Sequence, residues 1–241
     1  MTTAGPAVVT LHVWGVPLRR VGAALGRMAL DRGRLRRAPG VAFAKLLGTG
    51  SGRTFTPLDA DVRHWAALAC WSRYDAAAAF ESSAVARRWG ALADERLRVT
   101  LLPLASRGRW SGAEPFGGAV ARRAAAPDGP VAAITRARLA PARAVAFWRA
   151  TPPVVHDLRA APGLALSLGI GEAPIGLQGT FSVWESDAAL RAFAYGTAAH
   201  VGVVRRTGAE RWYAEELFAR FAVTDATGTY RGRALGQSLS L

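Results

Sequence analysis

The chain has 241 residues, of which 51% are hydrophobic and 20% charged, so it can bury a large core and is neither disordered nor fibrous. The single cysteine, Cys70, excludes an internal disulfide and any zinc or iron–sulfur site built from cysteines. The 31 basic residues outnumber the 17 acidic ones and give a net charge of +14.

The positive charge permits two interpretations. A basic protein often has an anionic partner such as nucleic acid, acidic lipid or an acidic protein. Here Lys45 is the only lysine, and an arginine-, alanine- and glycine-rich composition is also typical of codon bias towards G and C. The arginines are scattered, mostly in pairs, with no run of five or more like charges. We therefore expect no nucleic-acid partner, and codon bias suffices to explain the size of the charge.

The start of the chain has no pattern of a targeting segment. Residues 1–7 lack a basic region, and the apolar stretch 8–16 soon meets Arg19 and Arg20. No apolar run approaches the roughly 18 residues that a transmembrane helix needs. We expect a cytoplasmic protein that would contact a membrane only from its surface.

Two halves of the chain show the same order of patterns. Each has an apolar strand, a basic alanine-rich helix, an Ala-Pro-Gly turn, two more apolar strands, a helix and a last strand. This is the order of a ferredoxin-like unit. The matching segments are 8–14 and 131–137, 38–40 and 161–163, 48–50 and 169–171, 65–72 and 178–185, Phe80 and Phe193, and 108–112 and 228–232.

These patterns predict an α+β fold made of two tandem ferredoxin-like repeats. The first repeat would span residues 1–116 and the second 131–241, with a Gly-, Ala-, Pro- and Arg-rich linker at 117–130. Each unit leaves one sheet face bare, so the two units would join as a dimeric α/β-barrel-like sandwich within one chain. The two bare faces could pack dry or could enclose a cavity for a large apolar ligand, and the pattern leaves both alternatives open.

The chain contains no hydrolytic motif and no local metal motif. Its four histidines, His12, His64, His156 and His200, are too far apart in sequence for a zinc signature. Cys70 lies in an apolar strand, which favours an inert buried thiol over a nucleophile. The glycine-rich run 48–52 precedes no helix, so we interpret it as a strand-to-strand turn, with the lining of a pocket mouth as the alternative.

His200 is the histidine with the most suggestive surroundings. It follows Gly196 and Thr197, and Thr197 is a suitable N-cap for a helix that would carry the imidazole. Small neighbouring residues leave room for a planar group against the ring, as an axial haem ligand requires. A histidine packed on an apolar helix face with one hydrogen bond is the ordinary alternative.

Several blocks of sequence together resemble the spheroidene monooxygenase family of carotenoid ketolases and hydroxylases. The resemblance covers roughly residues 8–232. The blocks that carry it are 45–50, 55–57, 65–71, 89–95, 108–112, 114–116, 169–174, 180–184, 193–195 and 212–221.

The resemblance implies a haem-containing oxidoreductase, unrelated to the cytochromes P450, that uses reduced ferredoxin and dioxygen to oxygenate an acyclic carotenoid or similar apolar polyene. The duplicated layout is similar to that of dimeric α/β-barrel haem proteins, in which a histidine on a helix of the C-terminal half holds the iron. By that similarity His200 becomes the expected axial ligand of haem b, with His156 as the second candidate. Glu216 and Arg220 lie in a matching block and are spaced like a helical salt bridge.

Other functions fit the same patterns. A family member could bind haem or another lipophile without turnover, or could share only the fold. If the chain is the oxygenase, its basic surface suits an acidic ferredoxin and the headgroups of the membrane that contains carotenoids. The internal duplication permits a monomer as well as a homodimer.

Overall fold

The computed structural model describes residues 5–51, 59–117, 128–139, 152–172, 177–196 and 213–235. The first half comprises β1 (Val8–Gly15), a 3-10 turn (Leu18–Arg20), α1 (Val21–Arg36), β2 (Val41–Gly50), β3 (Ala60–Trp71), α2 (Tyr74–Phe80), α3 (Ala84–Leu92) and β4 (Glu95–Gly108). The second half comprises β5 (Val131–Leu139), α4 (Pro152–Ala160), β6 (Leu164–Gly171), β7 (Leu177–Trp184), α5 (Asp187–Gly196), β8 (Tyr213–Tyr230) and β9 (Arg233–Ala234).

All the strands of the described ranges belong to one large antiparallel sheet in the order β4-β1-β3-β2-β6-β7-β5-β8-β9. Because β4 also pairs with β8, the sheet closes on itself. The order within the first half, β4-β1-β3-β2, is the same as the order β8-β5-β7-β6 within the second. The halves therefore meet at two seams, β2 with β6 and β4 with β8.

Alternation of side chains along the strands divides the apolar residues between two faces of the sheet. The inner face forms one core that includes residues of both halves, such as Leu11, Leu68, Phe181 and Phe221. The outer face forms two separate cores, one beneath α1–α3 and one beneath α4 and α5. The protein is thus a mixed α and β structure with its helices outside the closed sheet.

Apolar side chains fill the space inside the closed sheet. Leu47, Leu68, Phe181 and Phe221 are each no more than 1% exposed. Phe116, from the segment after β4, packs edge-on against Phe221 with ring centroids 4.9 Å apart. Of the two alternatives for the apposed inner faces, dry packing agrees with this arrangement.

The Ala-Pro-Gly segments form equivalent turns in the two halves. Gly40 and Gly163 have φ of +77° and +75°, a conformation that favours glycine. A Cβ at Gly40 would collide with Ala76 of α2, and one at Gly163 would lie 2.7 Å from the Cβ of Ala189 in α5. In both halves the turn therefore lets a helix approach the backbone closely.

The prediction for the glycine run 48–52 was wrong within its described part. Gly48, Thr49 and Gly50 are the last residues of β2, not a turn. They pair with the second glycine-rich segment, Gly48 with Gly171 and Gly50 with Gly169. Small residues suit this seam because the two halves join there by backbone hydrogen bonds.

The helical salt bridge predicted for Glu216 and Arg220 was also wrong. Both residues lie in β8, where inward-facing Leu217, Ala219 and Phe221 alternate with outward-facing residues. An i, i+4 pair does not meet on a strand, because successive residues there are about 3.3 Å apart. Arg220 instead forms an ion pair with Asp187 at the start of α5.

Two other predictions concern the linker between the repeats and helices that could cross a membrane. Most of the predicted linker, residues 118–127, lies outside the described residues. None of the helices in the described ranges is long and apolar enough to cross a membrane.

Candidate functional site

The registers of the strands identify equivalent positions in the two halves. Val8 of β1 pairs with Trp71 of β3. Val131 of β5 pairs with Trp184 of β7 and is therefore the equivalent of Val8. Counting along the paired strands gives the other equivalents: Trp14 with Ala137, His12 with Thr135, Trp65 with Gln178, Ala67 with Thr180, Arg98 with Phe218, and Glu95 with Glu215.

Indole rings fill the outer face of the first half. Trp14 stacks on Trp89 of α3 with centroids 5.3 Å apart, and Trp65 lies 6.3 Å from the same ring. His12 stacks on the other side of Trp14 at 5.6 Å. All of these side chains are buried, so the helices of the first half pack against a complete aromatic layer.

The second half lacks this aromatic layer in its described residues. Alanine stands in place of Trp14, glutamine in place of Trp65, and an exposed threonine in place of His12. We call this outward surface the open face and define it by Thr135, Ala137, Thr180 and Phe218. An alanine and a glutamine have less volume than two indoles, so fewer atoms of these strands fill the outer side here, although Ala137 itself is only 6% exposed.

A cation lies beside the open face. The guanidinium of Arg107 is 4.6 Å from the centre of the Phe218 ring, the geometry of a cation–π contact. Within the described ranges no carboxylate forms an ion pair with Arg107. The open face therefore combines two threonines, an alanine and one aromatic ring with a positive charge at its edge.

A cleft of about 490 Å³ lies between α4 and α5 in the same half. Small residues line much of it, including Ala160, Gly163, Ala189 and Ala192. Phe193 also lines it and stacks on Trp184, with centroids 5.2 Å apart. This cleft and the open face both lie on the outer side of the second half.

The structure describes only one of the two histidines predicted as ligands. His156 lies on α4 at the rim of the cleft, with its side chain 85% exposed and its Nδ1 3.7 Å from Asp157 Oδ1. His200 lies outside the described residues, four positions after α5 ends at Gly196.

Cys70 is completely buried in β3, as predicted, and burial raises the pKa of its thiol. Such a thiol is a poor nucleophile. Among the described residues, no group of three or more His, Cys, Asp or Glu side chains is placed to hold a metal ion. A haem group needs only one such ligand, so this observation bears only on metal ions held entirely by side chains.

An inward-facing polar network, which the sequence did not predict, links both halves at one end of the interior. Arg136 of β5 is 4% exposed and forms ion pairs with Glu172 and Glu215. Lys45 Nζ lies 2.5 Å from Glu172 Oε2, and Trp110 Nε1 donates to Glu172 Oε1 at 2.6 Å. Burial would raise the pKa of Glu172, but the hydrogen bonds from Lys45 and Trp110 outweigh it and lower that pKa.

A second polar network occupies the equivalent position of the other half. His64 Nδ1 is 2.8 Å from Asp61 Oδ2, and His64 Nε2 is 3.1 Å from Glu95 Oε2. Arg231 pairs with Asp61 at 2.7 Å, and the Tyr230 ring packs edge-on against His64. Burial would lower the pKa of His64, but its hydrogen bonds to Asp61 and Glu95 raise it.

The two networks contain a reciprocal clamp. Glu215 of β8 accepts hydrogen bonds from the backbone N–H groups of Ser111 and Gly112, in the turn after β4. Glu95 of β4 accepts them from Arg231 and Gly232, in the turn after β8. Each half therefore uses one glutamate to fix the closing turn of the other half.

The second network predicts a dependence of stability on pH. Because its folded-state pKa is raised, His64 contributes stability that is complete below its unfolded pKa of about 6.5 and is lost as the pH rises through the folded value. In urea titrations, the free energy of unfolding should fall between these pKa values by at most about 1.4 kcal/mol per pH unit. His64→Gln should remove this slope, whereas His156→Gln, at an exposed position, should retain it. An unchanged slope in His64→Gln would contradict the assignment.

Three curated relatives carry the name spheroidene monooxygenase. The protein from Rhodobacter capsulatus is 38% identical over 212 residues, which cover 87% of this chain and 86% of the relative. Those from Rubrivivax gelatinosus and Cereibacter sphaeroides are 34% and 32% identical, and the matches cover 98% and 90% of this chain and 89% and 66% of the relatives. No family model matches the chain.

Among solved structures, the fold is similar to that of aldoxime dehydratase. One such enzyme, in complex with butyraldoxime, has a TM-score of 0.60 and 12% identity over 96% of this chain and 84% of its own. This likeness concerns the fold alone. The coverage and identity of the named relatives show that the chain belongs to the spheroidene monooxygenase family.

Proposed function

We propose that this protein is a haem-dependent monooxygenase that inserts one oxygen atom into an acyclic carotenoid or a similar apolar polyene. Reduced ferredoxin would supply two electrons. In the balanced reaction a C–H bond becomes C–OH, and the second oxygen atom of dioxygen leaves as water with two protons. Family membership supports the class of reaction, since the relatives are named spheroidene monooxygenase.

The proposed architecture is two ferredoxin-like repeats, 1–116 and 131–241, joined by a linker at 117–130, with haem in the second repeat. The identical strand orders of the two halves and the reciprocal glutamate clamp support a duplication. The contrast between the aromatic layer of the first half and the open face of the second supports the second repeat, rather than the first, as the one that binds haem. This contrast is the observation that carries the proposal.

The described residues would accommodate haem b on the outer side of the second half. Its flat ring would lie against the open face, where an alanine and a glutamine stand in place of two indoles, and Arg107 would pair with a propionate carboxylate. His200 would be the axial ligand, with His156 as the second candidate. When bound, the haem would supply the reductive activation of dioxygen.

The chain's own contribution would be to position the substrate and exclude water. A long polyene has no charge to recognise, so its binding would depend on apolar contact area. The ring stack of Trp184 and Phe193 gives the cleft between α4 and α5 one rigid aromatic wall. Ala160, Ala189 and Ala192 line the same cleft with short apolar side chains, which would make room for an apolar chain.

The test is purification of the protein from cells supplied with haem, followed by absorption spectroscopy and an assay with an acyclic carotenoid, ferredoxin and its reductase. We expect a Soret band and a product that carries one atom from ¹⁸O₂. A Soret band without oxygenated product would favour a haem-binding protein without turnover. Absence of a Soret band would contradict haem dependence.

A blocking variant makes the test specific to the open face. Thr135→Trp places an indole on this surface, so it should reduce haem bound per chain roughly tenfold or more while leaving the fold intact. Thr227→Trp, at an exposed threonine of β8, is the matched control and should retain haem. Full haem content in Thr135→Trp would place the haem elsewhere.

A further inference from the structure

The outward face of α1 is apolar although it faces solvent. The helix packs onto the sheet through Ala24, Met28, Asp31 and Leu35. Its opposite side carries Gly22, Gly26, Ala29 and Leu30, and Leu25 lies at the edge of that side, between Arg32 and Arg36. Leu25 and Leu30 are 56% and 61% exposed, and Leu18 in the preceding turn is 70% exposed.

The glycines of α1 confirm the orientation of this face. A Cβ built on Gly22 or Gly26 would meet no atom within 4 Å, so both positions face open space. At about 100° per residue, the arc from Ala29 through Gly22, Gly26 and Leu30 contains no charged side chain. The apolar strip therefore runs along the most exposed line of the helix.

Arginines flank this strip on both sides. Arg32 and Arg36 lie on one flank, and Arg27 and Arg34 lie on the other. The turn before the helix adds Arg19 and Arg20, and Arg37 follows it. Within the described structure, Arg19, Arg27 and Arg36 have no carboxylate partner.

Asp31 is the only acidic residue between residues 18 and 37, and it does not offset the positive charge of the arginines at the surface. Asp31 is fully buried, and its carboxylate forms ion pairs with Arg34 and Arg88 at 3.0 and 3.1 Å. The solvent-facing side of α1 is therefore a strip of glycine, alanine and Leu30 bordered by arginines, with Leu25 among them and no exposed acidic side chain.

We propose that α1 and the turn before it form a docking surface for a lipid bilayer that contains anionic lipids. Leu18, Leu25 and Leu30 would enter the boundary between headgroups and acyl chains, and the flanking guanidinium groups would reach the phosphates. The exposed leucines and the arginines without carboxylate partners together select this occupant, because an anionic bilayer offers phosphates to the guanidinium groups and an apolar interior to the leucines. The proposal depends on α1 alone and is independent of the reaction.

The experiment is flotation of the purified full chain with vesicles of phosphatidylcholine, with and without phosphatidylglycerol. We expect binding to the anionic vesicles, weak binding to the neutral ones, and a loss of binding as salt is added. Binding that is equal for both vesicle types, or absent from both, would overturn the proposal.

Two triple variants separate the apolar and charged contributions. Leu18→Ser with Leu25→Ser and Leu30→Ser should weaken binding roughly tenfold or more, because less apolar surface enters the bilayer. Arg19→Gln with Arg27→Gln and Arg36→Gln should weaken it by about a hundredfold.

A third triple variant is the charge-matched control. It combines Arg109→Gln, Arg138→Gln and Arg233→Gln, three exposed arginines away from α1. It should weaken vesicle binding far less than the α1 arginine variant, and thermal melts should show that all variants fold. An equal loss in both arginine variants would mean that net charge, not α1, causes binding.

Other occupants of this surface would give distinct results. If the leucine variant converts a dimer into a monomer in sedimentation experiments and leaves vesicle binding unchanged, the strip is an interface between two copies of the chain. If it binds vesicles normally and loses only ferredoxin binding, the strip is a protein site. Either result would overturn the lipid proposal.

Discussion

Replacing Arg136 with methionine is expected to lower the free energy of unfolding by about 3–5 kcal/mol, because it leaves two buried carboxylates without their shared partner. Arg136 is 4% exposed, and its partners Glu172 and Glu215 are 17% and 13% exposed. Lys45 would still neutralise Glu172. Glu215 would keep only its backbone N–H donors.

Urea denaturation at pH 7 measures this effect, and Arg138→Met is the matched control. Arg138 lies on the same strand but is exposed, so its replacement should change stability by less than about 0.5 kcal/mol. Equal losses of stability in the two variants would show that the effect comes from removing one positive charge and not from the ion pairs of Arg136.

The pH dependence of the Arg136 effect provides a second check. The pKa values of Glu172 and Glu215 are lowered in the folded protein, so these groups contribute stability above their unfolded pKa and lose it as the pH falls. Protonation also removes the cost of an unpaired carboxylate. The difference between Arg136→Met and the wild type should therefore shrink below about pH 4.

The hydrophobic periodicity of the sequence predicted most of the strands and helices. Burial of one face of each element imposes this periodicity within a short stretch of chain. Inward and outward residues alternate along β1, β5 and β7, and these strands read clearly as apolar runs. The Ala-Pro-Gly turns and the matching Phe80 and Phe193 also occupy equivalent places in the two halves, where each ring packs on a tryptophan 5.2 Å away.

The polar networks could not be predicted because their members meet only after the sheet closes. Arg136 is 36 residues from Glu172 and 79 from Glu215, and local spacing does not record these contacts. The one available signal was a charged residue at an inward position of an apolar strand. The salt bridge of Glu216 and Arg220 was predicted wrongly for a related reason: opposite charges four residues apart also occur in strands, and only the pairing of β8 with β4 and β5 identifies this segment as a strand.

His200→Ala is expected to lower the affinity for haem by about a hundredfold or more, since losing even a supporting group of a metal ligand costs 10–100-fold. The readout is the Soret absorbance per chain after reconstitution with haem, which requires no turnover. Far-UV circular dichroism and a thermal melt of the variant should match those of the wild type, which separates loss of the ligand from loss of the fold.

Two further measurements assign the ligand. His156→Ala is the matched control: its side chain is 85% exposed at the rim of the cleft, so its removal should leave the spectrum unchanged. Added imidazole should restore the Soret band of His200→Ala, because a free ring can enter the space that the side chain vacates and bind the iron. If His156→Ala loses haem while His200→Ala retains it, the axial ligand is on α4 and the haem lies in the cleft between α4 and α5. If neither variant loses haem, neither histidine is the ligand, and the resemblance to haem proteins with a C-terminal histidine does not extend to this chain.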